Sequence, residues 1–244
     1  MDEFVRQFLN WDVTRPYLPE IARGFVRTIE LALIAQVIAM ALGLLLAIMR
    51  RFRAPRAGAP MRGLAMAVRG LGVAYINVMR GLPAIVVIFV LWAIAPSFPG
   101  LRELSDFQIG VIALGLVYAA YLAEVFRAGI ESVDRGQAEA ARSLGMTSAL
   151  TMRMVILPQA VRRMLPPFMN DFIALTKDTA LLTIISVAEV FTVSRDAQSV
   201  ESSASPLIAA AGFYLVFTLP LIWVVDRIYE RQQRRSGRGE VFIP

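Results

Sequence analysis

Few residues in this 244-residue chain could do chemistry, and most of those sit where charge is costly. Lys177 and Asp178 stand side by side in an otherwise apolar stretch, and Lys177 is the only lysine. An ionised group at the centre of a bilayer costs about 2.5–3.5 kcal/mol on insertion scales, which makes such residues candidates for function. Helix neighbours point about 100° apart, so these two cannot stack as an i,i+4 pair. They could flank a cavity and meet the carboxylate and ammonium of an amino acid, or each could bond a neighbouring helix and fix packing. Arg80 also has two readings, a snorkelling helix anchor or a substrate contact. Glu124 and Arg127 have the spacing of a local ion pair, and Glu30 is placed at an outer interface. Asp171 and Asp178, seven apart, could share a helix face, but no third acid joins them to hold a metal.

Composition narrows the chemistry further. Cys and His are both absent. Disulfides, thiol nucleophiles, Cys or His metal sites and every scheme using imidazole are excluded. No G-x-x-x-x-G-K-[ST] phosphate loop is present, so the chain is not expected to bind nucleotide itself. Charged residues make up 18% of the chain, against about 25% in an average soluble domain, while 57% are apolar and mean hydropathy is +0.60. A membrane protein without catalysis of its own is the first expectation.

The elements that would position these residues are bilayer spans, each needing about 20 mostly apolar residues. Pro206 to Val225, Thr28 to Met49 and Phe107 to Phe126 qualify. Pro83 to Pro96 is apolar but short, and crosses only if its helix begins near Val73, drawing Arg80 and Gly81 into the membrane region. Met164 to Val190 is the fifth candidate, with Pro166-Pro167 expected to break or kink its start. The reading is a single all-α domain over 1–244 with an external segment 1–27, a helical core 28–225 and a cytoplasmic tail 226–244. The mixed polar start lacks a signal-peptide pattern, so the first span is expected to serve as the uncleaved insertion signal.

Arginine placement sets the orientation, since basic residues are retained in the cytoplasm. Segments 50–69 and 127–163 carry six each and the tail five, including Arg53, Arg56 and Arg238. The opposite face holds Arg102, Arg195 and four more before Thr28. The N-terminus is expected outside and the tail inside. The net charge of +6 and the pI near 10.3 then describe cytoplasmic loops, not a nucleic-acid surface. Small-residue stretches at Ala41-Leu42-Gly43 and Ala209-Ala210-Ala211-Gly212 permit close helix packing, in the chain's own core or at a dimer seam.

Between the third and fourth spans lies a short helix. Asp134 suits its N-cap, with Gln137 in the reciprocal position, and Gly145 suits the residue past its end. Thr147 or Ser148 can cap the next helix, running to Pro158. Ala138, Ala141 and Leu144 share a face at helical spacing. About ten residues are marginal as a free helix in water, so this one either docks into a partner's groove or rests on its own domain.

Glu139-Ala140-Ala141, three residues, Gly145, nine residues, then Val155-Ile156-Leu157-Pro158 resembles the signature of ABC-importer permeases, with Val155 in an Ile place. Arg80-Gly81-Leu82-Pro83, the run Ala119 to Ile130, and Leu175-Thr176-Lys177-Asp178-Thr179-Ala180-Leu181 resemble elements of the polar amino acid uptake branch, the histidine/glutamine/arginine type. The resemblance covers about residues 73 to 190. It implies a multi-pass bacterial inner-membrane permease, with Glu139, Ala140, Ala141, Leu144 and Gly145 coupling it to a cytoplasmic ABC ATPase dimer. ATP and magnesium would sit on that ATPase, and no cofactor on this chain. It also implies a second permease copy or homologue, an external solute-binding protein and an amino acid substrate, passing near Lys177, Asp178 and Arg80. The alternatives are an integral-membrane lipid-head-group enzyme and a passive channel.

Overall fold

The computed structural model describes residues 2–52 and 58–235. Arg53, Arg56, Arg238 and the tail past residue 235 lie outside the described residues. The expected all-α class holds, with no strand among the described residues.

Helix α1 (Asp2–Phe8) is tied to the far end of the chain, where the Ala204 amide donates to the Gln7 carbonyl at 2.9 Å. The Asn10 amide likewise donates to Ser205 Oγ at 2.9 Å. Helix α2 (Leu18–Arg51) starts well before the expected Thr28. Pro19 and Glu20 in its first turn and Arg50 and Arg51 in its last suit the backbone and the dipole at each end. Its 34 residues span about 51 Å.

Helix α3 (Ala59–Gly81) and helix α4 (Ala84–Ile94) meet at a bend of 107°. This corrects the expected single helix from Val73 to Pro96. The residue before a proline is pushed out of the helical region, and Leu82 adopts φ −95, ψ 139 just ahead of Pro83. Arg80 therefore lies in the last turn of a helix, at the bend.

Helix α5 (Asp106–Glu131) opens with a capping box between Ser105 and Gln108. It is packed by α2, α3, α4 and the later helix α7. The α2–α5 seam is built on small residues. A Cβ on Gly43 would lie 3.0 Å from the Ala119 carbonyl oxygen, and one on Gly115 would lie 2.8 Å from Ile38. Gly43 thus belongs to the core of its own chain. In the other small stretch Ala210 is buried but Gly212 faces open space.

Helix α6 (Arg135–Ser143) follows, then a single turn Ser148–Thr151 capped by Thr147, then a wide i→i+5 turn over Met152–Ile156. Helix α7 (Leu157–Asp178) continues from there, so helical backbone passes Pro158 and is unbroken at Pro166 and Pro167. Met164 against Gly129 and the Phe126–Phe168 ring pair at 5.0 Å hold this part of α7 on α5. The expected span Met164 to Val190 is not one helix. Thr176 Oγ1 donates to the Phe172 carbonyl and Thr179 Oγ1 to that of Thr176, both at 2.8 Å. Such back-bonding weakens and bends an α-helix. A 3₁₀ stretch Thr179–Ile185 follows and ends at Ser186 with φ 58. Helix α8 (Val190–Glu201) and helix α9 (Ser205–Arg235) complete the chain.

Contacts give the helix directions. Along α5, Gly110 meets Leu182, Tyr118 meets Asp178, Gly129 meets Met164 and Ser132 meets Arg163, so α7 runs antiparallel to it. That ladder extends about 33 Å, close to the about 30 Å of a hydrocarbon layer. Helix α2 runs parallel to α5, from Ile38 beside Gly115 to Arg50 beside Glu124. Among the described residues, three helical stretches are long and apolar enough to cross a membrane unaided: Trp11–Arg51, Asp106–Glu131 and Ser205–Arg234. The bent α3–α4 pair has the length and composition of a broken span or a re-entrant loop.

Overpacking a tight seam costs typically about 1–3 kcal/mol. Gly43→Val should lower the thermal unfolding midpoint in detergent, whereas Gly212→Val, on an open face, should leave it unchanged.

Candidate functional site

Helix α6 is the first candidate. Asp134 Oδ1 accepts from the Gly136 amide at 2.7 Å. The reciprocal bond expected of Gln137 is absent, and Gln137 Oε1 instead accepts from Gln159 Nε2 at 3.5 Å. At the other end the Met146 amide donates to the Ala141 carbonyl and the Gly145 amide to that of Arg142. These are the two bonds of a Schellman cap, and Gly145 takes the left-handed conformation the cap needs, φ +84. The expected shared face is corrected. Ala138 is half-buried and Ala141 buried against the chain's own turns, whereas Leu144 is 85% exposed. Leu144 is the C-cap, with ψ 9, and has left the helical spiral. Glu139 and Ala140 also point away from the protein. So α6 both rests on its own domain and keeps one face open.

The second candidate is ionic. Glu124, expected to pair locally, does accept from Arg127 Nε at 2.7 Å. It also binds Arg50 from α2 and lies 3.4 Å from Arg80 at the end of α3. Arg127 in turn holds Glu131 at 2.5 Å. One carboxylate, 18% exposed in its side chain, thus pins three helices. Arg80 meets Glu124 here, a partner that neither of its two expected readings named.

Lys177 and Asp178 diverge, as their helical spacing requires. Asp178 Oδ2 accepts from the Tyr118 hydroxyl at 2.8 Å. Lys177 is exposed and makes no ion pair among the described residues. One turn pair earlier, Asp171 keeps a buried Oδ2 with no hydrogen-bond partner among the described residues.

Sequence reading missed Glu189. It is fully buried and caps α8, accepting from the amides of Phe191 and Thr192 and the Thr192 hydroxyl at 2.7–3.0 Å. Thr28 of α2 and Tyr214 of α9 donate to it at 3.3 Å. A lone acid between Ala188 and Val190 with Thr192 three residues on is the signal that could have revealed it.

Removing one partner of a buried ion pair costs about 3–5 kcal/mol, and exposed pairs are worth about 1 or less. Glu124, half-sheltered, falls between. Glu124→Gln should cost about 2 kcal/mol by thermal unfolding, and Glu103→Gln, on an exposed pair with Arg102, should cost nothing measurable.

Residues 39–235 match the family model described as binding-protein-dependent transport system inner membrane component. The glutamate/aspartate import permease protein GltK of Escherichia coli O6:H1 is 33% identical over 229 residues, covering 91% of this chain and 97% of that one. The arginine transport system permease protein ArgU of Corynebacterium glutamicum is 35% identical, covering 93% and 74%. Among solved structures, an amino acid ABC transporter crystallised with histidines matches at TM-score 0.77 and 32% identity, over 91% of this chain and 98% of that one. The inward-facing methionine transporter MetNI matches at TM-score 0.72 and 17% identity, a likeness of fold alone. The signature residues on an open, doubly capped helix thus stand on a matching fold, and the chain belongs to the family of binding-protein-dependent transport system inner membrane components.

Proposed function

We propose that this chain is the permease subunit of an ATP-driven importer for polar amino acids in the bacterial inner membrane. Its alternating access is driven by a separate ATPase that carries the ATP and magnesium. The open face of α6 carries this reading, because Glu139, Ala140 and Leu144 lie outward on a helix whose fold is already secured by two caps and by Ala141 behind it. A second permease copy or homologue and an external binding protein complete the assembly. The relatives quoted above are import or transport permeases, and the lipid-head-group enzyme finds no support among them.

In this reading the chain crosses five times: α2, the bent α3–α4 pair, α5, α7 with its 3₁₀ extension, and α9. The antiparallel ladder from Ser132–Arg163 to Gly110–Leu182 supports the fourth crossing, although α7 carries several charged residues. The arginine count places α6 and the tail in the cytoplasm and the N-terminus outside.

A charged side chain in a spanning helix faces protein or water, not lipid. In this reading exposed Lys177 and neighbouring Asp178 lie along the substrate path. Arg80, bound to Glu124, is assigned to structure.

Two measurements test this. Leu144→Asp and Glu139→Ala alter exposed residues, so the fold should survive while co-purification with the cognate ATPase drops about tenfold, the effect of one modest contact residue. Undiminished co-purification in both variants would remove the docking role. Lys177→Gln and Asp178→Asn should slow amino acid uptake without lowering the unfolding midpoint, since Asn keeps an acceptor for Tyr118. Unchanged uptake in both would place the path elsewhere.

A further inference from the structure

A cleft of about 480 Å³ opens between the α6-bearing ends of α5, α7 and α9. Neither the docking face nor the Lys177 region uses it. Its wall is mostly apolar, with Val125 and Ala128 from α5, Met164 and Pro167 from α7 and Tyr229 from α9. Two charged side chains reach it, Glu124 and Arg163. Glu124 comes accompanied by Arg50, Arg80 and Arg127, so its surroundings are positive in sum. Arg163 donates to the Ser132 carbonyl. A guanidinium has five donors, so most of them remain for a ligand.

The depth and the opening of the cleft decide what fits. Ser132 and Arg163 lie at the polar end of the α5–α7 ladder, and Val125 lies about two turns further along α5. The cleft therefore begins at the water boundary and runs into the apolar layer. At this end of the molecule α2 and α9 have, among the described residues, no side-chain link like the one at the other end. At the other end of the molecule these helices are joined by Phe25 against Phe213, Tyr214 and Phe217. At this end α2 leads to Glu124 through Arg50, whereas Gln232 of α9 donates to the Arg162 carbonyl. Helix α9 turns Val216, Leu219, Ile222 and Trp223 outward, a surface suited to lipid tails. Arg227 lies 5.1 Å over the Trp223 ring, an aromatic and basic pairing typical of the membrane interface.

An inserted peptide would bring amide groups against a wall with few partners for them, which is costly. An acyl chain brings none, and a negative head group matches the arginines at the mouth. We propose that this cleft binds one anionic glycerophospholipid, with an acyl chain along Val125, Met164 and Pro167 and the head-group phosphate at Arg163.

The test uses the full chain purified in detergent, given equal amounts of phosphatidylglycerol and phosphatidylcholine and read by native mass spectrometry. The wild type should retain phosphatidylglycerol over phosphatidylcholine by about fivefold, the order expected of one arginine near an anionic head group. Arg163→Gln should bring that ratio close to one. Ala128→Phe, which fills the cleft from an exposed position, should reduce retention of both lipids. Arg102→Gln, on another loop, should change nothing. Unfolding midpoints close to wild type establish that the variants are folded. Equal retention of the two lipids by the wild type would overturn the proposal, as would an unaltered ratio in Arg163→Gln. Displacement of the lipid by inorganic phosphate alone would identify a free-anion site instead and overturn it equally.

Discussion

Lipid tails are as apolar as leucine, so burying leucine gains little inside a bilayer, and helices must hold one another by close fit. The α2–α5 seam meets this constraint. Gly43 lies against Ala119 and Leu122, and Gly115 against Ile38 and the Ala35 carbonyl, close enough that a Cβ added at either glycine would collide. The larger residues Leu114, Val117 and Leu122 of α5 join one buried cluster with Val87 and Ile88 of α4 and Leu175 of α7. The rest of the bundle is arranged around α5 for that reason.

The same helix carries the charge that orders one end of the molecule. In a medium of low dielectric a lone carboxylate is costly, and surrounding it with guanidiniums turns the cost into a geometric requirement. Glu124 brings the end of α2 and the end of α3 to one point. Pro83 then turns the chain sharply away, so bend and ion cluster together set where α4 begins. At the opposite end Glu189 plays a comparable part with neutral donors, joining α2, α8 and α9.

Local signals were legible in the sequence and distant ones were not. The caps of α6 at Asp134 and Gly145 and the Thr147 cap could be read because each is a bond between near neighbours. The Glu124–Arg127 pair was readable for the same reason. Arg50 was not, being 74 residues away, and only the fold brings it to Glu124. Hydropathy overruled a readable break at Leu82-Pro83, because an apolar count is blind to backbone angles. It also joined Met164 to Val190 across a turn that the threonine hydroxyls bend. Glu189 was hidden inside an apolar run, where its five donors come from three separate helices.

The wide turn at Met152–Ile156 packs beside the outward-facing helix α6 and leads straight into the long helix α7. A turn closed over five residues holds one residue more than an ordinary helical turn. Regularising it would rotate all of α7 by about 100° about its axis and advance it by about 1.5 Å. The Asp178–Tyr118 bond, 22 residues beyond the turn's end, would then be out of register. A change of pitch beside α6 is thus a change of which side chains α7 presents at its far end.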